Sequence, residues 1–371
     1  MKYYLVVGEA SGDLHASNLM RALLKKDPNA EFRFFGGDRM QSVGGTLVKH
    51  YRELAFMGFW EVIKNLKTIL NNLSFCKSDI QEFNPNAVIF VDYPGFNLRL
   101  AKWVKMRGYQ THYYISPQLW AWKESRISIV KRWVDKMYVI LPFEKKFYKN
   151  KHQFEVDFVG HPLLDAIDSN SIVDASNFKK KWHLDDRPII ALLPGSRGQE
   201  IKKMLNTMTA LIPSFLNYQF VIAGAPSQPK EIYLPYMTSD SIALVENNTY
   251  DLLQVASVAL VTSGTATLET ALYRVPQVVC YKSSKFSYWI ARILVKHLKY
   301  ISLVNLVLDR PAVKELIQDE FTVSNLADEL KLILTPESQS IILEDYNELT
   351  KLLGGSGASV KTADLIYNAL N

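Results

Sequence analysis

Ile189-Ile190-Ala191-Leu192-Leu193-Pro194-Gly195-Ser196-Arg197-Gly198-Gln199-Glu200 lies just past the middle of the 371-residue chain. The apolar run 189–193 has the length and branching of a buried strand, and Pro194-Gly195 stops it. A helical pattern begins near Glu200. A strand that breaks at glycine and feeds a helix brings free backbone N–H groups to one spot, where an anion can sit. Arg197 adds a planar cation able to grip phosphate with two parallel hydrogen bonds. The stretch reads equally well as a diphosphate cradle and as an ordinary strand–turn–helix joint with a surface arginine.

The same half of the chain repeats the arrangement. Val261-Thr262-Ser263-Gly264-Thr265-Ala266-Thr267-Leu268-Glu269 follows a strand-type run, and Ser263, Gly264 and Thr265 place hydroxyls and N–H groups at a helix start. Glu269, one turn into that helix, can accept hydrogen bonds from both ribose hydroxyls of a nucleotide. It can also fold back to cap its own helix. Two glycine-turn anion sites in one half favour a nucleoside diphosphate over either loop read singly.

Strand-type runs alternate with helical patterns throughout. Strands are predicted at 3–7, 32–35, 87–91, 112–115, 136–141 and 156–159, then at 189–193, 219–223, 242–244, 258–261 and 277–280. Helices are predicted at 14–26, 59–73, 98–107 and 126–133, then at 201–215, 250–256, 266–273 and 286–298. The pattern predicts an α/β protein of two doubly wound, Rossmann-like domains facing a cleft. The Asp-, Ser- and Asn-rich stretch 165–186 reads as the linker, and helical patterns at 326–334, 341–353 and 360–369 end the chain. Ligands of such sheets bind beyond the carboxyl ends of the strands, so the loops there are the candidates.

In the first half, Gly8-Glu9-Ala10-Ser11-Gly12-Asp13 turns from a strand into a helix. Ser11 or Asp13 can cap that helix, or the loop can touch substrate. Asp92-Tyr93-Pro94-Gly95 sets a carboxylate at a strand tip on a rigid turn, a place for a general base or for a helix cap. Trp120 and Trp122 sit in Ser116-Pro117-Gln118-Leu119-Trp120-Ala121-Trp122, where they can stack on sugar, face lipid or simply pack. His161, before Pro162, can hold a phosphate or be structural.

Net charge is +6 and pI about 9.0, which favours anionic partners: nucleic acid, phosphorylated metabolites or an anionic bilayer. No zinc-finger or RNA-binding signature points to nucleic acid. The two cysteines, Cys76 and Cys280, lie in apolar surroundings without metal-ligand spacing, as expected of buried thiols in a reducing compartment. No run reaches the ~18 apolar residues of a spanning helix, and the strand 3–7 leaves no room for a signal-peptide core, so a cytosolic or inner-membrane-face location is expected. The apolar face of 59–73, with Phe56, Met57 and Trp60 beside it, exceeds one buried stripe. The segment 285–299 carries Lys285, Arg292, Lys296 and Lys299 on one face and aromatics on the rest, as a bilayer-surface helix does.

Taken together these blocks resemble the lipid-A-disaccharide synthase family, bacterial inverting glycosyltransferases of the two-Rossmann GT-B type. The resemblance runs over nearly the whole chain. It includes 8–13, Met57-Gly58, 92–97, 116–122, Leu141-Pro142-Phe143-Glu144, Gly160-His161-Pro162, 193–197 with Glu200, and 263–265 with Glu269. Tyr300-Ile301-Ser302-Leu303 with Asn305, and Val313-Lys314-Glu315-Leu316, complete it. The resemblance implies transfer of 2,3-diacylglucosamine from UDP to 2,3-diacylglucosamine 1-phosphate (lipid X), giving a β-1,6-linked disaccharide phosphate and UDP with no metal or other cofactor. It implies a base in the first domain, Asp92 or Glu9. Gly195, Ser196, Arg197, Glu200, Ser263, Gly264, Thr265, Glu269 and Asn305 would form the nucleotide side. Ser11, Met57, Trp120 and Trp122 would face the acceptor and lipid. Many members carry a second aspartate, favoured as the base, where this chain has Gly95, and Val304 replaces a frequent proline. The implied division is 1–168, 169–340 and C-terminal helices 341–371 packing back on the first domain, with a homodimer through those helices as a further implication. The implied location is the cytoplasmic face of the inner membrane. Two other readings fit two Rossmann-like domains: a sugar-nucleotide epimerase on a soluble UDP-sugar, and a non-catalytic nucleotide or lipid carrier.

Overall fold

The computed structural model describes residues 1–54, 66–122, 124–168, 171–226, 228–283 and 298–371, without the side chains of Leu66 and Trp122. Met57, Phe56, Trp60, the first part of 59–73 and most of 285–299 lie outside the described residues. The chain divides into two compact units, 1–169 with 353–371, and 170–352.

The first unit is built on strands β1 (Lys2–Val6), β2 (Glu31–Gly36), β3 (Thr46–His50), β4 (Ala87–Val91), β5 (Gln110–Tyr114), β6 (Lys136–Val139) and β7 (Asp157–Phe158). They form one sheet in the order β3-β2-β1-β4-β5-β6-β7, every pair parallel. The second unit holds β8 (Ile189–Leu193), β9 (Gln219–Gly224), β10 (Ile242–Glu246), β11 (Val258–Thr262), β12 (Gln277–Tyr281) and β13 (Lys314–Ile317). Their order is β10-β9-β8-β11-β12-β13, again parallel throughout. Parallel strands need helical crossovers, which cover both faces and explain why β4, β8, β9 and β11 are largely apolar and buried end to end.

Each sheet grows outward from its first strand, then returns to pair on that strand's other side. The reversals fall between β1 and β4 and between β8 and β11. Loops leaving the carboxyl ends of such a pair diverge to opposite faces and open a crevice, the usual ligand place of doubly wound sheets.

Two strands escape the apolar-run pattern, β3 and β13. Both are edge strands and carry lysine, and β3 has no fully buried residue. Charge on an edge guards against stray pairing and also hides the strand from a hydrophobicity reading. The stretch expected as a plain linker contains the helix Ala175–Lys181, started by Asp174, whose carboxylate accepts from Asn177 N at 2.9 Å. The long helix expected over 201–215 ends at Thr209, and Pro213 sits in a separate 3-10 turn, Ile212–Ser214.

The chain's end is shared between the units. Helix Pro336–Leu352 belongs to the second, where Tyr346 donates to Val275 O at 3.2 Å and Arg310 pairs with Asp345 at 2.5 Å. From Leu353 the chain joins the first unit. Helix Ala358–Leu370 lies on helix Ala10–Lys26 and buries Ala363 and Ile366 beside Leu5, Val7 and Leu19. Asp165 accepts from Gly357 N at 2.6 Å and Ser359 N at 2.7 Å, satisfying the N-terminal amides of that last helix.

Candidate active site

The loops after β1 and β4 meet at the first switch point. Glu9 is the N-cap of helix Ala10–Lys26 but makes no side-chain cap bond, and it is exposed, as is Ser11 in the first turn. Asp13 does not cap its own helix either. Its buried carboxylate accepts from Gly37 N at 2.8 Å, Arg39 N at 3.1 Å and Met40 N at 3.1 Å, so it fixes the start of helix Asp38–Val43. Gly8 touches the Tyr93 ring: a Cβ there would stand 2.4 Å from Tyr93 Cγ. The two loops therefore pack backbone against ring, and only glycine allows it.

Asp92 and Tyr93 both adopt the left-handed region, with φ of 44° and 48°. Consecutive non-glycine residues there carry strain of roughly 1–2 kcal/mol each. The surrounding bonds hold them. The Asp92 carbonyl accepts from Tyr113 Oη at 2.6 Å and Asn97 Nδ2 at 2.7 Å, and Asp92 N donates to Tyr114 O at 3.0 Å. Helix Pro94–Met106 takes Tyr93 as its N-cap, so Asp92 is no helix cap. Its half-buried carboxylate forms no ion pair among the described residues. Desolvation first, and the negative Glu9 second, push its pKa up to about 7. Asp79 makes the contrast: Arg33 grips it at 2.9–3.0 Å and Tyr4 donates to it at 2.7 Å, which is the signature of a structural carboxylate. Gly95 is exposed and a Cβ there would meet nothing within 4 Å.

The second switch point lies between β8 and β11. Gly195 turns at φ 99°, and a Cβ on it would stand 3.0 Å from Glu200 Oε2 and 3.6 Å from Thr262, the residue before Ser263. The two glycine turns are thus neighbours. Arg197 is the N-cap of helix Gly198–Thr209, and its side chain is 77% exposed. It reaches Glu200 at 3.2 Å. Glu200 and Ile201 N–H groups bond back to Arg197 O, at 2.9 and 3.0 Å. A carboxylate repels a diphosphate, so Glu200 suits a partner that aims Arg197 rather than a phosphate ligand. Gln228 pins the loop by donating to Ser196 O at 2.8 Å.

Gly264 is the N-cap of helix Thr265–Leu272, and Gly264 and Thr265 are exposed. Ser263 is committed: its N–H donates to Cys280 O at 3.0 Å and its hydroxyl to Ile301 O at 3.1 Å. The first turn of a helix holds amides without an intrahelical partner, donors of the kind an anion accepts from. Glu269 does not fold back onto its helix. It is half-buried, with Tyr250 Oη donating to Oε1 at 3.1 Å, and burial raises its pKa above the usual range. Tyr250, on helix Thr249–Val255, carries no sequence signal beyond its place after a strand. Asn305 is buried and fully engaged: Nδ2 donates to Val313 O at 2.8 Å and Glu315 Oε1 at 2.9 Å, while Oδ1 accepts from Val313 N at 2.9 Å. It shapes the loop and offers no free polar atom to a nucleotide.

Trp120 is 7% exposed and meets Phe143 edge-on at 4.8 Å, so its ring packs the loop after β5 against the loop after β6. Glu144 lies beneath, accepting from Leu141 N at 2.9 Å and Ile140 N at 3.2 Å, and burial lifts its pKa to about 7. The Trp122 side chain and Met57 lie outside the described residues. His161 is buried near His15, and its Nδ1 accepts from Leu163 N at 3.3 Å. Desolvation, aided by His15, lowers its pKa to about 3, so it is a neutral structural histidine.

The sequence profile described as lipid-A-disaccharide synthetase matches residues 3–367. The chain belongs to the lipid-A-disaccharide synthetase family. The lipid-A-disaccharide synthase of Coxiella burnetii (strain CbuG_Q212) is 35% identical over 372 aligned positions, covering 99% of this chain and 98% of that one. That of Syntrophus aciditrophicus is 37% identical over 367 positions, with 97% and 95% covered. Among solved structures, a UDP-GlcNAc 2-epimerase from Neisseria meningitidis bound to UDP-GlcNAc superposes with a TM-score of 0.71 at 13% identity, covering 99% of this chain and all of that one. The glycotransferase of kitacinnamycin gives 0.67 at 12% identity, covering 100% and 99%. At such identities the likeness is one of fold, two Rossmann-like domains of GT-B type. Membership in the lipid-A-disaccharide synthetase family makes the protein a glycosyltransferase of lipid A biosynthesis.

Proposed function

We propose that the protein condenses UDP-2,3-diacylglucosamine with 2,3-diacylglucosamine 1-phosphate, releasing UDP and forming the β-1,6-linked disaccharide 1-phosphate. The observation that carries this reading is the separation of chemistries between the two switch points. An unpaired carboxylate of pKa about 7 stands at one. Exposed helix N-termini, an exposed arginine and a carboxylate held by tyrosine stand at the other. In the reaction, Asp92 takes the proton of the acceptor hydroxyl as its oxygen attacks the anomeric carbon. The bond to UDP breaks, and its electron pair moves to the diphosphate. Arg197 and the amides after Gly195 and Gly264 stabilise that charge as it grows. Glu269 accepts from the ribose hydroxyls, with Tyr250 fixing its orientation.

The test is direct. Purified protein with both lipid substrates in detergent gives the disaccharide phosphate and one UDP per product. Folded protein that instead interconverts a soluble UDP-sugar, or binds UDP without turnover, refutes the proposal.

We infer further that the first unit rests on the anionic inner face of the membrane. No helix among the described residues is long and apolar enough to cross a bilayer. Helices Leu66–Phe83, Pro94–Met106 and Ile127–Trp133 are neighbours on one face of the first sheet. They carry Trp103 between Lys77 and Arg107, and Trp133 between Lys102 and Arg132, each cation within 6 Å of a ring centre. Leu70, Phe75, Met106 and Ile129 are exposed on the same helices. Tryptophan ringed by cations, with apolar side chains beside it, matches a headgroup layer.

A further inference from the structure

Glu315 stands on the edge strand β13, opposite Val279 of β12. It is half-buried and forms no ion pair among the described residues. Instead it gathers the loop before helix Leu303–Leu308. Ile301 N donates to its Oε2 at 3.0 Å, and Ser302 N and Asn305 Nδ2 donate to Oε1 at 2.9 Å each. Ser302 Oγ then caps that helix, accepting from Asn305 N at 3.3 Å. The loop so fixed turns the carbonyl of Ile301 towards Ser263, whose hydroxyl donates to it at 3.1 Å.

We propose that Glu315 is a positioning residue of the nucleotide site: through Ile301 and Ser263 it sets the direction of the Gly264–Thr265 amides. The proposal rests on the reading of those amides as diphosphate donors. The chain of bonds has one arrangement. Ser263 has its N–H tied to β12 and its hydroxyl to the loop, so the peptide that follows it cannot rotate freely. An acceptor-only group is required at position 315, because three donors converge on it. Glutamine would turn its own N–H groups toward backbone N–H groups, and alanine would leave those donors unmatched.

The experiment measures UDP binding by calorimetry, and donor and acceptor KM, for the full chain and for Glu315→Gln, Ser263→Ala and the double variant. Glu315→Gln, with native circular dichroism, is expected to raise the UDP Kd and the donor KM roughly tenfold while the acceptor KM stays unchanged. The double variant is expected to match Glu315→Gln within about twofold, since both substitutions cut one chain of bonds. Folded Glu315→Gln with unaltered UDP affinity, or losses that multiply in the double variant, overturns the proposal. If Glu315→Gln does not fold, Ser263→Ala decides alone: a weakened UDP Kd supports the proposal and an unaltered one overturns it. Failure of the unsubstituted protein to bind UDP removes the nucleotide site itself, and Glu315's role with it.

Discussion

Asp92 combines three properties rarely found in a structural carboxylate: a strained backbone, no cationic partner among the described residues and a raised pKa. The burial that raises the pKa disfavours its ionised form, so the sign of its stability contribution is opposite to that of a salt-bridged aspartate. The folded protein binds the Asp92 proton more tightly than the unfolded chain does. Stability from this group is therefore complete below pH ~4, the pKa of an unperturbed aspartate, and is lost as pH rises through about 7. Asp92→Asn should remove that loss and raise the melting temperature at pH 8 by on the order of a few °C, a difference that vanishes at acid pH. The same variant should lower turnover by roughly 10²–10⁴-fold, the usual share of a general base, while UDP affinity is unchanged. Near-normal turnover of Asp92→Asn would falsify the base assignment.

Glu9 supplies the companion test. Its charge raises the Asp92 pKa, so Glu9→Gln should move the acidic limb of the kcat/KM profile to lower pH with the maximal rate largely kept. Loss of the maximal rate would instead make Glu9 the base.

At the scale of elements, the strand–turn–helix joints that hold the proposed site are the most legible part of the sequence. Central strands such as β1, β4, β8 and β11 announce themselves as apolar runs because a parallel strand is covered on both faces. The glycine turns at Gly195 and Gly264 follow from the same text. What sequence could not supply is which donors are already spent. Ser263 and Asn305 look like ligands by residue type, yet bonds to Ile301, Val313 and Glu315 use them up. Trp120 looks like a sugar platform, but its ring is buried against Phe143 in a T-shaped pair. Tyr250 was invisible, since it meets Glu269 only when two strand ends are brought together. Long-range pairing of this kind has no local period. Arg197 is the counter-example, exposed in the structure as on the page. Its pair with Glu200 is an exposed i,i+3 contact, which is worth only ~0.3–0.5 kcal/mol. A diphosphate can therefore draw the guanidinium away at little cost. Arg197→Ala should weaken UDP binding at least ~10-fold and lower kcat as well, leaving the melting temperature nearly unmoved. Glu200→Ala, read by the same calorimetry, should cost much less.

At the scale of the molecule, a net charge of +6 says only that anions are welcome. The membrane contact proposed above for the first unit's helical face narrows them to a bilayer surface. Four of its cations, Lys77, Lys102, Arg107 and Arg132, stand over the rings of Trp103 and Trp133. A soluble anion such as a nucleotide has no use for exposed Met106, at 68%, or Phe75, at 48%, beside those cations. A bilayer uses both, the charge for its headgroups and the apolar side chains for its interface. Each lysine or arginine near an anionic surface contributes about 1 kcal/mol, screened within a Debye length. Reversing Lys102 and Arg132 to glutamate should thus cut binding to vesicles of anionic phospholipid by at least ~100-fold at low salt, with little change on neutral vesicles. Sedimentation of protein with the two kinds of vesicle measures both. Lys102 and Arg132 are exposed and make no contact with Asp92, Arg197 or Glu269 among the described residues, so turnover of detergent-dispersed substrates should survive while turnover of vesicle-borne substrates falls. If both assays fall together, the face serves the fold or the reaction; if neither falls, the membrane contact lies elsewhere on the chain.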